Sequence, residues 1–410
     1  MNILKSMRLI PILLSMVAAG AQDRQPKGLP AGVVSVDTYS ETDLHRLIDA
    51  GYRSEIPWEE AYGDFVDVDA YVPDLTVART YAYVQNTYNL AEWTMSVRHI
   101  QPMGQLNGRN RFSFTEMLPP GGQMYLLEEK HPEVCTMEWW VGEAPENIWM
   151  HYYVRILDAQ VYMGKPGVII DWVNFGHANF DRDPALKQGF LQMKIAHGIE
   201  RDNMIKILRW RQAGNTGAVT DASARQLGLI NTSLYTPDAI WQMLASGVTP
   251  TVKWEQLYGP FISSHFYLVN QPVDKVWKYL KDPRNRNQWT VSMRDVIDIP
   301  GDTFWAFEML APAGPLIADQ DISEPSKTMD LRISNPLYYG RLGLTKWMTS
   351  SMRVIDGPES VGKPGSVVVW TTFHHAAYDA LPELTELWKF LPVSNSYAAK
   401  NVGLLLAAQP

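Results

Sequence analysis

Apolar positions along the chain follow two rhythms. Leu44, Leu47 and Ile48 recur at helical spacing behind Ser40-x-x-Asp43, which reads as a helix cap, with Gly51 as the expected stop. Ile240, Met243 and Leu244 do the same behind Thr236 and Pro237, with Gly247 as the stop. Each such helix is followed by an extended stretch (65–72; 261–269) and a second helix (74–85; 273–281). Short runs rich in aromatic and β-branched residues then predict strands near 111–117, 136–141, 151–157 and 168–177, with counterparts in the second half. A long helix is expected from Pro184 and another from Pro382; Pro392, inside the latter, should kink or split it. The expected class is α+β.

The pattern is written twice. Tyr39, Gly51, Trp58, Glu59, Tyr62, Gly63 and Phe65 return 196 positions later as Tyr235, Gly247, Trp254, Glu255, Tyr258, Gly259 and Phe261. Glu116-Met117-Leu118 returns as Glu308-Met309-Leu310, and Gly164-Lys165-Pro166-Gly167 as Gly362-Lys363-Pro364-Gly365. From Gly164 to Pro184, ten of 21 positions are identical to their counterparts, too many for chance. Two units of one fold are therefore expected, 39–213 and 235–410, each with its own leader helix, joined by a polar linker over 214–234.

Composition narrows the class. At 410 residues, 46% hydrophobic and 20% charged, the chain is globular, and a net charge of −8 without a Lys/Arg run argues against a nucleic-acid partner. Fifteen Trp, 19 Tyr and 18 Met are available for cores or apolar pockets. Lys5 and Arg8 precede an apolar run that ends at Ala19-Gly20-Ala21, so residues 1–21 read as a cleavable export signal, too short for a membrane span. A secreted or periplasmic location follows as an expectation. The single cysteine, Cys135, allows no internal disulfide.

In the second unit Pro272-x-x-x-Val276-Trp277, Asp282-Pro283 and then Trp289 lie between a strand and a run of antiparallel strands closed by a long helix. This order resembles the START-like (SRPBCC) superfamily of polyketide cyclases and lipid-transfer domains. The resemblance implies a helix-grip fold, in which a curved antiparallel sheet holds its last helix around an apolar cavity. It also implies a bulky hydrophobic guest, such as a lipid, sterol or polyketide, bound or transported. The alternative is a cyclase/aromatase-like or lyase enzyme acting on a polyketide or aromatic substrate by acid/base catalysis.

Polar residues kept in both copies are the candidates for chemistry. His177-x-x-x-Asp181 and His375-x-x-x-Asp379 could form an acid/base pair; equally, the Asp could cap the following helix while the His satisfies a turn. Arg155 and Arg353, mid-strand among apolar residues, could fork onto a carboxylate, phosphate or enolate oxygen if they face the cavity, or form a salt bridge if they do not. Glu116 and Glu308, on an apolar strand face, could carry a proton at raised pKa, or pair with Arg155 or Arg353. Glu129/Asp321 and Glu138/Asp330 are the remaining polar pairs. No cofactor fingerprint is present, and no third ligand accompanies the His-x-x-x-Asp pairs, so no metal is expected.

Overall fold

The aromatic and β-branched runs of each half close into one antiparallel sheet. In the computed structural model, which describes residues 28–409 except 53, 119–120, 248–250, 311–312 and 344–345, the two halves share one topology. The export segment read in residues 1–21 lies outside the described residues. In the first half, Phe65–Asp67 and Ala70–Val72 both pair with Val168–Phe175. Asn147–Asp158, Thr136–Ala144, Gly122–His131, Arg109–Glu116 and Val97–Leu106 then follow in order. In the second half, Phe261–Ser263 and Phe266–Val269 both pair with Gly365–Phe373. Beyond them lie Met348–Asp356, Thr328–Ser334, Gly314–Ser323, Thr303–Glu308 and Met293–Ile299. Even register is repeated: Thr136 faces Arg155 as Thr328 faces Arg353.

One face of each sheet wraps a long helix, Pro184–Gln212 or Pro382–Ala407. Met204, Ile207 and Leu208 bury against Trp93 and Trp172 in the first half; Ala398, Val402 and Leu405 bury against Trp289 and Trp370 in the second. The result is an α+β pair of tandem helix-grip units. Of the two outcomes expected at Pro392, the split does not occur: the second long helix runs on through it. Pro392 is buried, and its neighbour Val393 is held against the leader helix, so packing outweighs the single backbone bond a proline removes.

The opposite faces of the two sheets pack on each other. Tyr153, Val173 and Phe175 form one cluster with Ile355, Val361, Val367 and Val369. Val168–Phe175 is buried at every residue, because its sheet is covered on both faces.

The leader helices are exchanged. Helix Glu41–Tyr52 precedes the first unit in sequence, yet its Leu44 and Ile48 pack with Val291, Leu310 and Val393 of the second. Helix Pro237–Gly247 conversely packs Ile240 and Leu244 against Met95 and Leu118 of the first. The segments before them are clasped by equivalent asparagines. Val34 gives its N–H to Asn401 Oδ1 at 2.9 Å and takes Asn401 Nδ2 at 2.8 Å; Ile230 does likewise with Asn203, at 3.1 and 2.9 Å. Strands Glu55–Pro57 and Thr251–Lys253 pair where the two arms cross. The helix ends at Tyr52, one residue past Gly51, whose missing side chain lets the helix approach Val393. Within the expected linker, Thr220 and Ser223 cap a helix, Asp221–Leu227, whose Ala224 joins the first unit's core.

Candidate functional site

Between sheet and helix of the second unit lies a cavity of about 160 Å³. Its apolar wall includes Leu316, Leu331, Ile333 and Met348 from the sheet and Leu387, Leu391 and Ala398 from the long helix. Trp289 and Trp370 line it too, and His45 and Ile48 reach in from the exchanged helix.

Arg286 is the unusual group in this wall. Asp282 Oδ1 caps the turn at Pro283 by accepting the Arg284 N–H at 3.0 Å. The single-turn helix Arg286–Trp289 that follows then directs the guanidinium inward. Arg286 is 2% exposed, with its guanidinium carbon 5.2 Å from the Trp289 ring centre and 5.4 Å from that of Phe304. The guanidinium's only hydrogen-bond contacts among the described residues are long ones, 3.4 Å to Gln320 Oε1 and 3.5 Å to Met329 Sδ, and Nε has none. Burial lowers its pKa to about 10, with no carboxylate countering that effect. A buried cation without a counter-charge is costly and marks a place where a ligand's charge is expected.

Other donors around the cavity also lack partners among the described residues: Trp289 Nε1, Trp370 Nε1 and the Tyr378 hydroxyl. Glu308 lines the same cavity, held by the Leu310 N–H at 3.0 Å. Burial raises its pKa, outweighing its hydrogen bond from Ser292.

The first unit carries larger side chains at most of the corresponding positions. Where the second has Arg286, Leu331, Ser350 and Asn395, the first has Leu90, Trp139, Tyr152 and His197. His197 lies 5.0 Å from the Trp172 ring and 5.4 Å from Tyr152, and its Nδ1 is 2.7 Å from Glu200 Oε2.

Of the eight candidate residues, Glu308 lines the cavity. Its counterpart Glu116 receives the Leu118 N–H at 2.9 Å beside Ser96, and burial raises its pKa. The two glutamates do not pair with Arg155 or Arg353, as one reading expected. Both arginines instead point away from the helices and into the seam between units. Arg155 forks onto Asp330 of the second unit at 2.6 and 2.7 Å. Arg353 lies 2.7 Å from Glu138 of the first, with His131 Nε2 at 3.0 Å.

The histidines are reciprocal as well. His177 Nδ1 accepts the Asn179 N–H and His375 Nδ1 the Ala377 N–H, each at 3.0 Å. Each imidazole covers the other unit's Gly-Lys-Pro-Gly turn: a Cβ at Gly362 would stand 2.4 Å from His177 Nε2, and one at Gly164 2.5 Å from His375 Nε2. Asp181 and Asp379 contact neither of these imidazoles; they are exposed beside Lys187 (3.6 Å) and Lys165 (3.8 Å). The cap of the first long helix is Asp183, whose Oδ1 accepts the Leu186 N–H at 2.8 Å.

Glu129, His131 and Glu138 have ligand atoms within 4.8 Å of one another, a spacing that could hold a metal ion. The Arg353 guanidinium already supplies the positive charge there. Burial would raise the pKa of Glu138, but Arg353 beside it prevails and lowers it to about 2.

Arg286 is not among the residues shared by both halves, because Leu90 stands at its place in the first. The signal was the mismatch, a charged residue in one copy against a leucine in the other.

No family model and no curated protein matches the chain. Among solved structures it is similar to the di-domain ARO/CYC StfQ from the steffimycin biosynthetic pathway, at 12% identity over 83% of this chain and 98% of that one, with a TM-score of 0.26. It is also similar to the di-domain ARO/CYC BexL from the BE-7585A biosynthetic pathway, at 10% identity over 84% and 99%, TM-score 0.28. A START superfamily protein from Mycobacterium smegmatis matches 38% of this chain over its own full length, at 11% identity and TM-score 0.27. In architecture the chain is a tandem pair of helix-grip units.

Proposed function

We propose that the second unit binds a bulky, mainly apolar small molecule carrying an anionic or strongly polarised oxygen, which sits on Arg286. The first unit, with Leu90, Trp139, Tyr152 and His197 at the matching positions, serves as scaffold. The observation that carries this reading is the buried guanidinium, unpaired with any carboxylate among the described residues, in a mainly apolar cavity. The unpartnered Trp289, Trp370 and Tyr378 donors add to it, since each can give a hydrogen bond to a ligand oxygen. Carriage outside the cytosol, through the signal in residues 1–21, belongs to the same proposal; N-terminal sequencing of exported protein tests it by finding or missing cleavage after Ala21.

Titration with 2-naphthoate and with its methyl ester, followed by tryptophan fluorescence, separates charge recognition from burial of the rings. Arg286→Leu, which installs the first unit's residue, is expected to weaken naphthoate at least tenfold and the ester little. Equal losses for both probes would reject Arg286 as the anion seat.

A second reading is favoured by Glu308, a carboxyl of raised pKa in the same cavity as a cation. In an enzyme acting on a polyketide or aromatic substrate, Glu308 would move the proton while Arg286 held the developing oxyanion. Glu308→Gln would then abolish turnover of such a substrate while leaving naphthoate binding intact.

A further inference from the structure

We propose that the exchanged helix Glu41–Tyr52 is the gate of the second unit's cavity, so that the arm preceding one unit controls entry to the other. This rests on the binding reading above. Both ends of the arm are fixed. Upstream, Asn401 clasps Val34, the Val36 N–H reaches the Val291 carbonyl at 2.9 Å, and Arg294 pairs with Asp37 at 2.5 Å. Downstream, Glu55–Pro57 is a strand of the crossed pair with Thr251–Lys253.

Between these anchors the helix docks chiefly by one narrow face. Leu44 and Ile48 are its buried residues, with Leu47 and Tyr52 partly covered. His45 and Ile48 are wall residues of the cavity, and the His45 ring meets Phe390, another wall residue, edge-on at 6.4 Å. The remaining face carries Glu41, Asp43 and Arg46 to solvent. A short element held by few buried side chains opens at the low end of the local-stability range, while its anchors stay in place. Removing this helix uncovers the cavity without disturbing the sheet or the long helix that form its other walls. The corresponding helix on the first unit, Pro237–Gly247, packs on Met95 and Leu118 in the same way.

The close approach of Gly51 to Val393 supplies the test. An ideal Cβ on Gly51 falls 3.5 Å from the Val393 Cβ, within the span a disulfide bridges. In Gly51→Cys/Val393→Cys protein, stopped-flow mixing with 2-naphthoate is expected to give near wild-type rates when reduced. Oxidation should slow association and dissociation together by at least tenfold, with Kd changed less than twofold. Gly51→Leu, which wedges the helix off Val393, should instead speed dissociation. Unchanged rates in protein shown by mass to carry the cross-link would overturn the gate while leaving binding at Arg286 standing. Failure of the reduced protein to bind naphthoate would end the binding reading, and the gate with it.

Discussion

Arg155 of the first unit and Asp330 of the second are joined by a bidentate pair at 2.6 and 2.7 Å, buried where the two sheets meet. The repeat makes a second copy, Arg353 with Glu138, related by exchange of the halves. Residues that survived duplication in both copies thus face each other across the seam, because each half must present what the other needs. Removing one partner leaves a buried charge alone. Arg155→Met is therefore expected to cost about 3–5 kcal/mol in chemical denaturation. Arg155→Met/Asp330→Leu should recover most of that loss. If the double variant is as unstable as the single, the pair is not what Arg155 contributes.

The turns that carry Gly164 and Gly362 make a parallel case. Both glycines have positive φ, +65° and +67°, and each lies under an imidazole of the other unit. Gly164→Ala meets two penalties: a left-handed backbone, about 1–2 kcal/mol, and a clash with His375. His375→Ala in the same chain should relieve the second penalty and leave the first. A thermal melt in which the two changes are simply additive would show that the imidazole does not press on the turn.

Much of the fold was legible because the repeat doubled every signal. The helix caps, the strand rhythm and the Gly-Lys-Pro-Gly turns each appeared twice, and agreement between copies fixed the element order. The candidate site was legible only at Glu308. Strand alternation puts Arg155 and Arg353 each on one face of its own sheet, but does not tell whether that face meets the helix or the other sheet. The exchange of leader helices was hidden for a related reason. Leu44 and Ile48 announce an apolar stripe, and nothing in a stripe's spacing says which of two homologous grooves receives it. Arg286 was invisible to any search for shared residues, since its counterpart is Leu90.

His375 gives a pH dependence with a defined sign. Burial first, then the neighbouring His374, lower its pKa from 6.5 to about 4. The unfolded chain therefore takes up this proton before the folded one does. The stabilising contribution is whole above pH 6.5 and is lost as pH falls toward 4. His265 and Asp171 act in the opposite sense across the seam. Asp67 outweighs burial to raise the pKa of His265, and burial foremost pushes Asp171 up to about 6. The informative quantity is the difference between proteins. His375→Asn, which keeps an acceptor for the Ala377 N–H, should lose less Tm than wild type between pH 7 and 4.5. Parallel profiles would place the proton-linked loss elsewhere.

The contrast between the two interiors can be tested by transplanting side chains. Ser350 and Leu331 stand in the second unit where the first has Tyr152 and Trp139. Ser350→Tyr/Leu331→Trp should fill the cavity and abolish naphthoate binding, and its Tm should stay near wild type because the first unit already packs these rings in the same frame. In the opposite direction, Tyr152→Ser leaves a void lined by Trp172 and His197 and is expected to destabilise the protein by about 3–5 kcal/mol. That void would still lack a cation, since Leu90 occupies the position of Arg286. Adding Leu90→Arg should then give the first unit measurable affinity for naphthoate over its methyl ester, detected by calorimetry as a second site. A chain that gains the void and the arginine yet discriminates no better than the void alone would show that the rim of the second cavity, with His45 of the exchanged helix, determines selectivity more than the guanidinium does.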